Sequence, residues 1–99
     1  MSVFNKLHCS LGLGKTNSKS CGEFEIQTYI TDVRIDTSCG CTNASIEGSK
    51  LKFCINIGGR QKHLKQNILT KKINITVNYK REGVPLQETL TASVDYKNK

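Results

Sequence analysis

A chain of 99 residues with 36% hydrophobic and 23% charged side chains has room for one domain with a modest core, and its composition excludes a disordered body. Fifteen Lys and Arg against eight Asp and Glu give a net charge of +7, which points to acidic partners (nucleic acid, an acidic protein surface or anionic lipid) and says nothing of fold. No stretch offers the roughly 7–15 apolar residues of a secretory core or the roughly 20 of a spanning helix, so the expectation is a chain made in the cytoplasm, with no membrane partner, that stays there or leaves by lysis inside a particle.

In chain order, residues 2–11 read as a first strand and residues 12–22 (GLGKTNSKSCG) as a flexible, basic, Gly- and Ser-rich loop. The segment 1–23 is therefore an arm plus loop, and 24–96 the body of the domain. Phe24, Ile26, Thr28 and Ile30 alternate with polar neighbours. Val33 and Ile35 continue with the opposite parity, so a bulge or bend is expected at Thr31-Asp32. Residues 37–48 are turn-rich and read as a loop. The clearest strand places Leu51, Phe53, Ile55 and Ile57 on one face until Gly58-Gly59 ends it. Residues 61–69 hold the one candidate for a short helical turn, through Leu64, Ile68 and Leu69. Ile73, Ile75, Val77 and Tyr79, then Leu90, Ala92, Val94 and Tyr96, define a hairpin over 72–96 with its loop at Arg81–Pro85. Several short strands with polar turns make an all-β antiparallel sandwich.

The chemistry-bearing residues are sparse. Gly12-Leu13-Gly14-Lys15-Thr16 ends like a phosphate-binding loop, but Cys9 stands where that motif needs its first glycine, and no helix follows. Cys39-Gly40-Cys41 offers two thiolates, whereas zinc wants four ligands, and no second pair has ligand-like spacing among His8, Cys9, Cys21, Cys54 and His63. A structural turn is the plainer reading, so no metal and no cofactor is expected. With no leader, the five cysteines default to reduced thiols, and their odd number argues against a fully paired framework. The histidines pair with no Ser or Asp pattern, and a small β-domain has little room for a deep pocket, so an enzyme is not expected. Lys15, Lys19, Lys62, Lys65, Lys71 and Lys72 are the candidate contacts to nucleic acid or an acidic surface. Only three arginines accompany them, which disfavours base-specific reading, and the tyrosines suited to stacking (Tyr29, Tyr79 and Tyr96) are scattered.

The run Ile30-Thr31-Asp32-Val33-Arg34-Ile35-Asp36-Thr37-Ser38-Cys39-Gly40-Cys41-Thr42 resembles the signature of a family of immunoglobulin-like domains common in Bacteroidetes. The hallmark of that family is I-x-x-V followed by T-S-C-G-C-T, and it is related to sandwich domains of the major-sperm-protein and cilia-associated type. Residues 73–79 and 89–94 resemble its closing hairpin. Two extra residues, Ile35 and Asp36, precede the hexapeptide, and the usual Pro-Gly turn stands here as Glu47-Gly48. The resemblance implies an immunoglobulin-like sandwich of about seven strands and brings no catalytic residues. By type, a basic sandwich of this size is similar to accessory virion proteins of tailed bacteriophages, crAss-like phages among them. The expected function is therefore an auxiliary, or decoration, protein on a capsid. Its partners would be the major capsid protein, other virion proteins or further copies of itself. A basic nucleic-acid-binding module and an envelope adaptor are the alternatives.

Overall fold

The computed structural model describes residues 2–98. Seven strands follow one another: β1 (His8–Lys15), β2 (Ser18–Glu25), β3 (Thr31–Thr37), β4 (Thr42–Glu47), β5 (Lys50–Ile57), β6 (Ile68–Arg81) and β7 (Val84–Lys97). They form a four-stranded sheet in the order β1-β7-β6-β3 and a three-stranded sheet in the order β2-β5-β4. In immunoglobulin lettering this is A′GFC against BED, with β1 parallel to β7 and the other pairings antiparallel. The all-β sandwich read from the alternation is the fold observed.

The core lies between the sheets. Phe24, Leu51, Phe53 and Ile55 come from one inner face, and Ile73, Ile75, Val77, Leu90, Ala92 and Val94 from the other, all essentially inaccessible. Each large apolar side chain buried this way contributes about 1.5–3 kcal/mol. Phe24 stacks on Phe53 at 5.5 Å between centroids and meets Phe4 edge-on at 6.4 Å.

Several boundaries differ from the sequence reading. Residues 12–22 are not a loop: they complete β1 and begin β2, because Cys9 and Leu11 find a sheet to pack on and Gly14 and Gly22 allow close approach. A Cβ on Gly22 would meet Leu11 Cδ2 at 2.7 Å and Phe53 Cζ at 2.9 Å. The N-terminal segment is thus built into the sandwich. Phe4 bridges Ile26 beside the three-stranded sheet, and the chain then crosses to pair β1 with β7, bulging at Gly12, which adopts a positive φ of 74°. The parity change at 31–33 is a one-residue bulge, with Asp32 at φ 52°. Residues 42–47, expected within a loop, are β4, since Ala44 and Ile46 turn inward opposite Phe53 and Leu51. The 81–85 loop shrinks to the two-residue turn Glu82-Gly83, both with positive φ.

There is no helix among the described residues, so the helical turn expected near 61–69 is corrected to an irregular crossover containing one turn, Leu64 N–H to the Gln61 carbonyl. Leu64 is exposed and stands outside the core, and Asn98 ties the crossover at both ends. Its side chain accepts from Gln61 N–H and donates to the Gln61 carbonyl, and its own N–H donates to the Asn67 carbonyl.

The expectation of reduced thiols is also corrected. Cys21 on β2 and Cys54 on β5 are direct register partners, their Cα atoms 4.0 Å apart, and they are joined as a disulfide on the outer face of the three-stranded sheet. Cys39 is joined to Cys41, and Cys9 is the buried free thiol. An antibody-type disulfide ties one sheet to the other. Here the cross-strand bond ties two neighbours of one sheet.

Candidate functional site

The molecule is long, 50 × 21 × 19 Å, and its two ends differ in charge. One end is built from the β1–β2 turn, the 58–67 crossover, the start of β6 and the end of β7. Register brings them together: Lys15 and Ile68 both pair with Lys97, and Lys19 pairs with Asn56. Asn17 N–H donates to the Gly58 carbonyl, and Lys71 Nζ donates to the Asn56 carbonyl at 3.0 Å.

All six lysines singled out in the sequence (Lys15, Lys19, Lys62, Lys65, Lys71 and Lys72) therefore fall at this end. Arg60 and Lys97 join them, two residues that sequence reasoning missed. Register alone reveals Lys97, and Arg60 is placed by the Gly58-Gly59 stop that turns the chain there. Among the described residues the acid nearby is Asp95, which accepts a hydrogen bond from Thr70 Oγ1 at 2.6 Å. Among the described residues this end therefore holds eight cations against one carboxylate.

Among the described residues, the ion pairs lie toward the other end: Lys50–Glu23 at 3.4 Å, Lys52–Glu47 at 2.9 Å and Lys80–Asp32 at 3.6 Å. The Lys52 partnership draws the Glu47 carboxyl below, and the Lys52 ammonium above, their ordinary values. Among the described residues the lysines of the basic pole have no ion pair, and they are solvated except Lys71, which is half-buried. Like charges gathered this way repel one another and are relieved by an acidic partner.

The opposite end carries a half-buried polar lock. Tyr79 Oη donates to Glu88 Oε2 at 2.5 Å, and Val3 N–H donates to the same oxygen at 3.1 Å. Burial, then the Glu88 partnership, pushes the Tyr79 hydroxyl up to about 12. Burial works to raise Glu88, but the hydrogen bonds from Ser2, Tyr79 and Val3 outweigh it and hold this carboxyl below its ordinary value. Sequence reasoning found Tyr79 as core and did not find its acid.

The remaining candidates are dispersed. Cys39 and Cys41 are bonded to each other and present no thiolate pair, and no cluster of three metal-ligating side chains forms among the described residues. His8 lies against two hydroxyls, Thr91 Oγ1 at 2.7 Å and Ser93 Oγ at 3.4 Å, and His63 is exposed in the crossover. Gly12–Thr16 is strand and turn, with no helix after it to cradle a phosphate. Tyr79 and Tyr96 are buried, and Tyr29 stands exposed at the end away from the lysines, so the described part of the basic pole has no stacking platform. No protein-family model matches the chain, and no curated protein matches its sequence.

Proposed function

We propose that the protein is a non-enzymatic interaction module, an auxiliary protein of a virion, that seats its basic pole on an acidic surface of the capsid. The observation that carries this reading is the gathering, among the described residues, of eight cations with one acid at one end of a sandwich 50 Å long. Solvated lysines give orientation and encounter rate more than affinity, since each is a hydrated point charge. Many copies on a symmetric lattice supply the rest through avidity. The two disulfides fit the outside of a particle, where thiols are not kept reduced. The test is mass spectrometry of particles purified from a producing culture, before and after a wash at about 1 M salt, where charge attraction is screened beyond roughly 3 Å. The chain is expected on the particles before the wash and in the high-salt eluate after it. Its absence from particles contradicts the reading. Retention by mixed-sequence duplex DNA, with none by stripped particles, favours a nucleic-acid module instead.

A further inference from the structure

The end away from the basic pole holds an arrangement that docking leaves unused. The 26–30 connection is pinned at its base: Ile26 N–H donates to the Ser49 carbonyl and Gln27 N–H to the Val3 carbonyl, both at 2.7 Å. Ile30 and Val33 pack against the core just beyond. Between these anchors Tyr29 is 83% exposed, a large ring left in water by a fold that buries every phenylalanine. Two clefts flank it. One, of about 420 Å³, has an apolar floor of Ile26, Ile30, Val33 and Ile46 with Gln27, Thr28 and Ser49 at its rim. The other, of about 350 Å³, is lined by Thr28, Thr31, Lys80, Arg81, Glu82 and Gly83. Both are of small-ligand size.

The charges in the second cleft are unequal in availability. Lys80 is paired with Asp32, whereas Arg81 has no ion pair among the described residues. Arg81 has the strand parity of Tyr79, is half-buried, and lines this cleft beside Thr28, Tyr29 and Thr31. A planar fork of donors in that setting matches a carboxylate. The threonine hydroxyls, Gln27 and the Glu82 carboxylate offer donors and acceptors for hydroxyl groups, and the exposed ring offers a flat face for C–H groups.

We propose that this end binds a carboxylate-bearing sugar chain, a uronic-acid oligosaccharide, with one pyranose ring stacked on Tyr29 and its carboxylate held by Arg81. The site is separate from the basic pole and does not rest on the docking reading. If the pole does face a capsid, this end faces outward.

The test is titration of the isolated protein with trigalacturonate, its methyl ester and triglutamate, followed by calorimetry and by the Tyr29 ring signals in NMR. Trigalacturonate is expected to shift those signals, and the methyl ester to bind roughly tenfold more weakly, the effect of losing one charge-assisted contact. Tyr29→Ala is expected to weaken binding by about tenfold or more, Tyr29→Phe to retain it, and Arg81→Gln to erase the preference for acid over ester. Lys62→Glu/Lys65→Glu is expected to bind as the wild type does. Tyr29, Lys62 and Lys65 are exposed and Arg81 is half-buried, and circular dichroism of each variant distinguishes lost binding from lost fold. Unmoved Tyr29 signals, equal binding of triglutamate, or loss of binding in the Lys62→Glu/Lys65→Glu variant would each overturn the proposal.

Discussion

At the scale of single residues, the Tyr79–Glu88 lock converts burial into pH dependence. Glu88 titrates lower folded than unfolded, so its stabilisation is complete above the ordinary carboxylate value near 4.5 and is lost as pH falls through the depressed folded value. Tyr79 is raised from 10.0 to about 12, so its contribution is complete below pH 10.0 and is lost as pH rises toward 12. Urea melts are expected to show an alkaline decline across that window, shallower in Tyr79→Phe, and an acid decline that Glu88→Gln reduces. Tyr79→Phe is also expected to cost about 1–3 kcal/mol at neutral pH, because Glu88 loses a buried partner. Glu82 sits at φ 52° in the β6–β7 turn, where Asn is preferred. Glu82→Asn is therefore expected to raise the urea midpoint, by roughly 0.5–1 kcal/mol of stability. Tyr79 was legible as a core residue from its parity with Ile73, Ile75 and Val77. Glu88 was not, because its partner is set by hairpin register and by the N-terminal segment folding back.

At the scale of elements, alternation found β5, β6 and β7 because each has one apolar and one polar face. It placed the bulge at Thr31-Asp32 for the same reason. It missed β4 and the ends of β1 and β2, where small or polar residues fill inward positions: Gly14, Ser20 and Gly22 leave no period-two signal, yet they are what lets the two sheets close on Leu11 and Phe53. The Cys21–Cys54 bond was illegible because pairing depends on strand register, not on spacing. It closes a span of 33 residues, so Cys21→Ser/Cys54→Ser is expected to lose about 3.5 kcal/mol in denaturant titration. The Cys39–Cys41 bond spans two residues, and its double serine variant is expected to lose only about 1.5 kcal/mol. Alkylation of the denatured protein before reduction is expected to label Cys9 alone. Pro85 matters at this scale too. Thr91 N–H faces β1, donating to the Leu7 carbonyl, so Pro85, of the same parity, removes a donor from the uncovered stretch of the β7 edge. Pro85→Thr is expected to increase concentration-dependent association in analytical ultracentrifugation.

At the scale of the whole molecule, charge is sorted along the long axis. The composition announced +7, and six lysines were picked out as contacts, but nothing in their positions along the chain says that residues 15, 19, 60–65, 71–72 and 97 meet. Parallel pairing of β1 with β7 and the crossover held by Asn98 bring them to one pole. The Lys50–Glu23, Lys52–Glu47 and Lys80–Asp32 pairs neutralise much of the rest, so a basic pole and a nearly balanced opposite end share one small sandwich. In the proposed role this pole, and not net charge in general, would hold the protein on a particle. The most direct measurement is co-sedimentation with salt-stripped particles across a salt series. Wild type is compared with Lys62→Glu/Lys65→Glu and with Lys50→Glu/Lys52→Glu, which change net charge equally at opposite ends. The expected result is loss of binding at low salt in the pole variant, with the other variant close to wild type. Equal weakening of both, or binding of the wild type that is indifferent to salt, would contradict the account.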